Sequence, residues 1–364
     1  LMRQYWVPAC RSDELPEPDG APLRVRLLGE NLVAYRTTSG SVGLMQDACP
    51  HRGASMFFGR NEEDGLRCVY HGWKFDVAGA CVDMPNEPAE SNFKHKIHAT
   101  AYPIQERGGI AWAYLGPRQT PPPLPDIEAN MLPEGVCRQT NLLRECNWVQ
   151  ALEGDLDTVH VAFLHGGHRR PEQSRPGSFA YYSAKQRAAR YSVVNMPYGV
   201  MYGAYRDAEE ESDYWRIAHF LFPFYTMVPT GMLGVQKIAR AWVPVDDEHT
   251  LYFHMTDPET RVEPGSRTPG ERVNVTDAVI AEAEQLPNTT GWYGRFRAKA
   301  HAGNDYLIDR EAQRSWRSYT GLRDITIQDQ AVTESMGTIY KRWQERLGSS
   351  DSMIIRMRRR LLDA

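Results

Sequence analysis

Four residues constrain this chain more than any other feature: Cys49 and His51, then, after sixteen intervening residues, Cys68 and His71. They form C-x-H followed by C-x-x-H, two pairs that each combine one thiolate with one imidazole. On neighbouring hairpin tips such pairs hold two metal ions in different ligand fields. The two sulfurs take one iron of a [2Fe-2S] unit and the two nitrogens take the other. The other reading of the same four residues is a structural zinc site. Zinc sites of that composition usually run as a Cys pair followed by a His pair, whereas here the two types alternate. Gly53 and Gly72 follow the two histidines and permit tight loops whose backbone N–H groups approach bridging sulfides.

A chain of 364 residues has room for two or three domains. With 41% hydrophobic and 24% charged residues it reads as globular, neither disordered nor fibrous. Lys plus Arg number 42 against 46 Asp plus Glu, a net charge of -4, which argues against nucleic acid as a partner. No apolar stretch reaches the roughly 18 residues of a membrane span, and the opening residues do not form a signal peptide. The expectation is a soluble cytoplasmic protein with no membrane partner. Leu1 is not an initiator methionine, so residues ahead of it are expected. The six cysteines are too sparse for a secreted disulfide framework.

From Leu23 to about Gly116, short alternating apolar runs bounded by Gly, Asn and Asp predict a small antiparallel β domain. Four of the six residues 121–126 are proline, which marks an extended connector. The expected division is residues 1–118 for the first domain, 119–126 for a Pro-rich linker and 127–364 for a second, larger domain. In that second domain, residues 147–164 lack proline and predict a helix interrupted by glycine. Aromatic-rich strands follow, and the last hundred residues turn helical, most clearly over 271–286 and 350–364. The fold class is α+β, with a β domain followed by an antiparallel sheet flanked by helices.

A second chemical pattern lies in Asp157, His160 and His165, D-x-x-H-x-x-x-x-H. Two imidazoles and one carboxylate on one side of an iron leave the opposite positions open, which suits non-haem Fe(II) oxygen chemistry. A spacing of five does not keep two histidines on one face of a regular helix, so the helix is expected to distort or end there, and Gly166-Gly167 supports an ending. Taken alone, two histidines in a helix are more often polar or packing residues; beside the first motif the odds reverse.

Together the motifs resemble the α-subunits of Rieske non-haem iron ring-hydroxylating oxygenases, and residues 147–165, 218–231 and 328–351 resemble the phthalate dioxygenase-like branch. The resemblance implies an N-terminal Rieske [2Fe-2S] domain held through Cys49, His51, Cys68 and His71, and a catalytic domain of the helix-grip kind. It implies mononuclear Fe(II) held by His160, His165 and the Asp of Q-D-x4-E, here Asp329; local spacing alone does not separate Asp329 from Asp324. Asp157 takes the place of the carboxylate that passes electrons between a cluster histidine of one subunit, here His71, and an iron histidine of the next, here His160. A homotrimer or a hexamer follows from that bridge, without a smaller β-subunit. Gly154 stands where some relatives carry Asn. Respiratory Rieske proteins have a further cysteine in each loop and hydroxyl donors after the last histidine. Here Ala54, Tyr70, Trp73 and Phe75 occupy those places, so no loop disulfide forms and the potential is expected toward the low end of roughly -150 to +300 mV.

The expected activity uses O2 and electrons from an NAD(P)H-dependent flavin and iron–sulfur reductase to hydroxylate an aromatic carboxylate. One alternative is oxidative O-demethylation of an aryl ether acid, since orientation over the iron decides between the two. Another is a Rieske electron-transfer protein without oxygenase activity, which leaves the residues after the proline run without a task. Because the guanidinium fork matches a carboxylate, Arg206 and Arg240 are the expected substrate-binding residues, with Ser178 as a hydroxyl donor. The competing reading pairs those arginines with Glu209 or Asp246. The aromatic run Phe220 to Met227 reads as core before pocket. The basic run near Arg358 reads as the solvated face of a terminal helix before a reductase dock.

Overall fold

The computed structural model describes residues 1–167, 169–229, 237–257 and 283–364. The chain forms two compact units: Leu1–Gln139 with Val243–Asp246 and Asn288–Arg295, and Thr140–Trp242 with Asp247–Pro287 and Phe296–Ala364. The division falls at Gln139, beyond the proline run of 121–126.

The first unit is built from ten short strands: β1 (Trp6–Arg11), β2 (Leu23–Leu27), β3 (Glu30–Arg36), β4 (Val42–Gln46), β5 (Arg60–Glu62), β6 (Gly65–Arg67), β7 (Lys74–Phe75), β8 (Cys81–Asp83), β9 (Ile104–Arg107) and β10 (Ile110–Tyr114). They pair antiparallel as β1-β10-β9, β2-β3-β4 and β5-β6-β7-β8. The alternating runs over 23–29, 31–37 and 110–116 hold β2, β3 and β10, the run over 66–76 is strand only at its ends, and β1, too short and proline-interrupted to show a period, adds an edge to β10. A core of Val33, Tyr35, Met45, Leu66 and Phe75 also takes in Cys49, Cys68 and Trp73, so the two metal-binding loops are rooted in packed side chains.

The second unit holds a seven-stranded sheet of order β11-β17-β16-β15-β14-β13-β12. Its strands are β11 (Arg138–Arg144), β12 (Arg190–Met196), β13 (Gly199–Asp207), β14 (Asp213–Leu221), β15 (Tyr225–Met227), β16 (Ile238–Pro244) and β17 (Thr250–Thr256). The pairings from β12 to β16 are antiparallel. Helices are α1 (Trp148–Leu156), α2 (Phe179–Lys185), α3 (Arg310–Arg314), α4 (Ile325–Glu334) and α5 (Ser352–Leu362). Helix α1 packs on α4 and on β14 and β15, and α5 packs on β12 and β13. This is the α+β arrangement expected, a β unit and an antiparallel sheet with helices against it. Among the described residues no helix is long and apolar enough to cross a membrane.

Three sequence readings need correction. Helix α1 stops at Leu156 instead of running to Leu164: Asp157 turns to φ -69°, ψ 117°, and its Oδ1 accepts the Val159 N–H at 2.8 Å. That Asx-turn competes with helical hydrogen bonding and precedes a short 3-10 turn over His160–Ala162. The basic run of α5 is a solvated face only in part: Arg359 is exposed, but Arg358 reaches inward to Glu153 and Glu345 with N–O distances of 2.5 to 2.9 Å. The acids proposed against Arg206 and Arg240 have other partners: Glu209 accepts from Tyr182, and Asp246 pairs with Arg26. The aromatic run is core, with Phe220, Phe224, Tyr225 and Thr226 buried. Most of the helix expected over 271–286 lies outside the described residues.

Candidate iron centre and cluster loops

The α1 terminus sets out the first group of functional side chains. Asn147 caps the helix start by accepting the Val149 N–H at 3.0 Å, and the Tyr202 hydroxyl donates to the Leu156 carbonyl at 2.6 Å, fixing the end. Beyond the Asx-turn, the Leu164 N–H reaches the His160 carbonyl at 2.7 Å and the Gly166 N–H reaches that of Val161 at 2.7 Å. These successive turns explain how a spacing of five brings both rings to one point.

His160, His165 and Asp329 come together, with one ligand atom of each within 4.8 Å of the others. His160 Nε2 and His165 Nε2 are 3.1 Å apart, and Asp329 Oδ1 lies 3.5 Å from the first and 3.1 Å from the second. Three ligands at roughly 2.1 Å from one ion, at right angles to one another, are about 3.0 Å apart. The triangle therefore has the dimensions of a facial triad, and these residues fit a mononuclear iron. Asp324, indistinguishable from Asp329 by spacing, is occupied elsewhere: its Oδ1 accepts the Ile327 N–H at 2.8 Å and caps α4.

Both rings are oriented from behind. His165 Nδ1 is 2.7 Å from Gln328 Oε1, an acceptor, so the ring proton sits on Nδ1 and the Nε2 lone pair faces the centre. His160 Nδ1 faces Asp157 Oδ2 at 3.4 Å. Burial disfavours a charged His160, and the Asp157 and Asp329 carboxylates outweigh it, so the imidazole is pushed up to about 10. Burial likewise opposes ionisation of Asp329, yet the two imidazoles hold its carboxyl below the usual range. The carboxylates around the buried imidazoles charge this pocket to accept a cation.

The centre opens on a cavity of about 160 Å³ that includes Asp155, Thr158, Arg216, Arg240, Trp242 and Tyr252 in its wall. Of the residues expected to meet a carboxylate, Arg240 lines this cavity, and its Nη1 pairs with Asp155, which also accepts from Thr226. Arg206 is fully buried and does not line this cavity; its Nε donates to the Gln186 carbonyl at 2.8 Å, while Nη1 and Nη2 have no hydrogen-bond partner. Ser178 caps α2, its Oγ accepting the Tyr181 N–H at 3.2 Å and donating to the Arg175 carbonyl at 2.7 Å. Gln328 and the Asp155–Arg240 pair are the functional neighbours that motif spacing does not announce. Gly154, on α1, allows close approach to α4, since a Cβ there would meet Thr333 Cγ2 at 3.0 Å.

In the first unit the cluster loops share one backbone design. The Gly53 N–H reaches the Cys49 carbonyl at 2.8 Å and the Gly72 N–H reaches that of Cys68 at 3.0 Å. The Cys49 N–H reaches the Ala54 carbonyl and the Cys68 N–H that of Trp73, both at 2.8 Å. Gly53 at φ +77° and Gly72 at φ +80° close the loops in the left-handed region. The His51 and His71 rings lie edge to face with centroids 4.4 Å apart, and Trp73 stacks on His51 at 4.4 Å. His51 Nδ1 is buried without a hydrogen-bond partner, the state of an atom whose partner is a metal. Burial pushes the Cys49 thiol up to about 11, against the pull of the His51 backbone N–H, and the neighbouring Cys68 adds to the rise. The Cys49 thiol resists ionisation until a cation compensates it, and with Cys68 and the two imidazoles beside it the four residues fit a [2Fe-2S] unit.

Comparison with known proteins gives the family. The Rieske [2Fe-2S] domain family matches residues 5–103, and the family described as LigXa C-terminal domain like matches 113–364. The 3-chlorobenzoate-3,4-dioxygenase oxygenase subunit of Comamonas testosteroni is 46% identical, over 100% of this chain and 84% of its own length. The phthalate 4,5-dioxygenase oxygenase subunit of Pseudomonas putida is 36% identical over 100% and 81%, and the 5,5'-dehydrodivanillate O-demethylase oxygenase subunit of Sphingobium sp. is 32% identical over 100% and 75%. Dicamba monooxygenase bound to dicamba shares the fold, with TM-score 0.63 and 18% identity over 100% of this chain and 97% of that chain. On these matches the chain belongs to the Rieske non-haem iron ring-hydroxylating oxygenases, enzymes of the phthalate dioxygenase-like branch that carry a [2Fe-2S] cluster and a mononuclear iron.

Proposed function

We propose that the chain is the oxygenase component of a multicomponent system that hydroxylates an aromatic carboxylate. Cys49, His51, Cys68 and His71 hold the cluster within residues 1–118, and His160, His165 and Asp329 hold the iron within 127–364. The observation that carries this reading is the triad: three ligand atoms within 4.8 Å, two of them oriented from behind, opening on a cavity with an arginine in its wall. Bound iron supplies O2 activation, fed with electrons through the cluster from an NAD(P)H-dependent flavin and iron–sulfur reductase. The chain's own residues bind and orient. Asp157 fixes His160 at Nδ1 and, in a homotrimer or hexamer, offers its carboxylate to a neighbouring copy's His71.

Two relatives named for 3-chlorobenzoate and phthalate favour a carboxylate substrate. Arg240 answers the same chemistry from the cavity wall, and Arg206, buried away from that cavity, acts on the site through α2, whose terminal Gln186 carbonyl it holds at 2.8 Å. Ser178 supports the pair by fixing the start of α2. The test is turnover of 3-chlorobenzoate and phthalate by the iron-loaded protein with a reductase. Arg240→Ala and Arg206→Ala should raise the Michaelis constant for the acid, and unchanged kinetics in both would remove the clamp. O-demethylation is the second reading, favoured by the 32% identical demethylase subunit. Formaldehyde released from a methoxylated aromatic acid, without ring diol, would select it.

A further inference from the structure

An apolar cavity of about 150 Å³ holds one benzene ring. The cavity on which the iron centre opens, about 160 Å³, is therefore taken up once a single-ring aromatic substrate lies in it. Dioxygen, the second substrate of an oxygenase, then needs an approach of its own.

A second cavity of about 140 Å³ adjoins the first, and Val161 and His165 line both. Small side chains create it where α2 packs on the 3-10 turn His160–Ala162: Ala180 and Ala184, one helical turn apart, face Ala162 and Gly166 across the gap. Phe179 completes the wall and is held in place by the Arg216 guanidinium, 3.8 Å from its ring centroid.

The polar atoms of the inner wall are committed elsewhere. Ser183 Oγ donates to the Ala180 carbonyl at 3.2 Å, within its own helix. His165 uses Nδ1 on Gln328 and turns Nε2 to the triad. Charge is confined to the rim, where Arg169 is exposed and the Arg187 guanidinium lies 5.3 Å from the Phe163 ring centroid. A cavity whose depth offers no free hydrogen-bonding group stays dry and takes up small apolar molecules, as dioxygen is.

We propose that this second cavity takes up dioxygen and passes it by the Val161 side chain to the iron centre while the aromatic substrate occupies the first. The proposal rests on the oxygenase reading and not on the carboxylate, whose recognition stays in the cavity at the iron.

Two measurements on the holoenzyme test it. Crystals pressurised with xenon, an apolar probe, should show an atom bound beside Ala180, Ala184 and Val161. Ala184→Leu, and Ala180→Leu as a second way of filling the same space, should exclude xenon. Both should lower kcat/KM for O2 several-fold, while kcat at saturating O2 and the affinity for 3-chlorobenzoate, titrated anaerobically without reductant, stay as in wild type. Cluster absorbance reports that each variant is folded, and if neither is, the xenon result decides. A wild-type cavity that xenon leaves empty overturns the proposal, as does an unchanged kcat/KM for O2 in the folded variants. Variants that weaken 3-chlorobenzoate and keep their O2 kinetics assign the cavity to the aromatic substrate and overturn it too. Failure of the carboxylate reading alone would show as a wild type indifferent to 3-chlorobenzoate over 3-chlorobenzamide with the xenon site intact.

Discussion

Gln328→Leu isolates the contact that orients an iron ligand. The His165 Nδ1–H donates to Gln328 Oε1 at 2.7 Å, and the imidazole is 12% exposed, so water does not replace the lost acceptor. Removing the bond forfeits roughly 1 kcal/mol and strands a buried N–H at a cost of about 1 to 3 kcal/mol, part of which the ring avoids by moving the proton to Nε2. That escape occupies the lone pair the iron needs. A loss of about 2 kcal/mol in Fe(II) binding, roughly thirtyfold, follows and lies within the 10- to 100-fold range of such outer partners. The assay is anaerobic competition for Fe(II) against a chelator, with acid-labile sulfide on the same sample to show an intact cluster. Gln328→Glu keeps the acceptor while losing the Nε2 donor that meets the Leu322 carbonyl at 3.2 Å, so it should bind iron much as wild type does. An Fe(II) affinity within twofold of wild type in the leucine variant would refute the argument.

Asp157→Asn keeps the shape and weakens the contact to His160. Iron and sulfide contents should persist while electron transfer from cluster to iron slows roughly 10- to 100-fold in single turnover, and a normal rate removes Asp157 from the route. Arg358→Met opens the junction of α5 with α1, where the guanidinium bridges Glu153 and Glu345 with side chains 20%, 10% and 17% exposed. Arg342 remains on Glu153, so the loss should be about 2 to 3 kcal/mol, below that of a fully buried pair, and urea unfolding measures it. Arg358 holds the Glu345 carboxyl below its ordinary 4.5, so its contribution is present above that pH and lost as pH falls through the lower folded value. The gap between wild type and Arg358→Met should therefore narrow below pH 4.5, and a gap that widens on acidification contradicts the pairing. Gly72→Ala should lose more cluster than Gly53→Ala, because a Cβ at residue 72 meets Pro85 Cγ at 2.6 Å whereas nothing lies within 4 Å at residue 53; equal sulfide contents count against the loop geometry.

The cluster loops were legible because their chemistry is local: each is a few residues long, with its cysteine, histidine and glycine at fixed offsets. The strands read well where alternation persists, as in Leu23–Leu27 and Glu30–Arg36, and poorly where a strand is an edge, as in Trp6–Arg11. The pattern over 147–164 predicts a longer helix than α1 because the Asp157 side chain ends the helix, and propensity does not register a side chain bonding back to the main chain. The choice of Asp329 over Asp324 needed the tertiary structure, in which one acid meets two imidazoles and the other caps a helix. Arg240 with Asp155, and Arg358 with Glu153, are pairs 85 and 205 residues apart, beyond any pattern in the chain.

One chain carries both a Rieske cluster and a mononuclear iron. Low-temperature EPR of the anaerobic, dithionite-reduced protein, with iron and acid-labile sulfide quantified on the same sample, tests it most directly. A rhombic Rieske signal with about three irons and two sulfides per chain is expected. Zinc without sulfide, or a cluster signal that His160→Ala leaves with unchanged iron content, would contradict it.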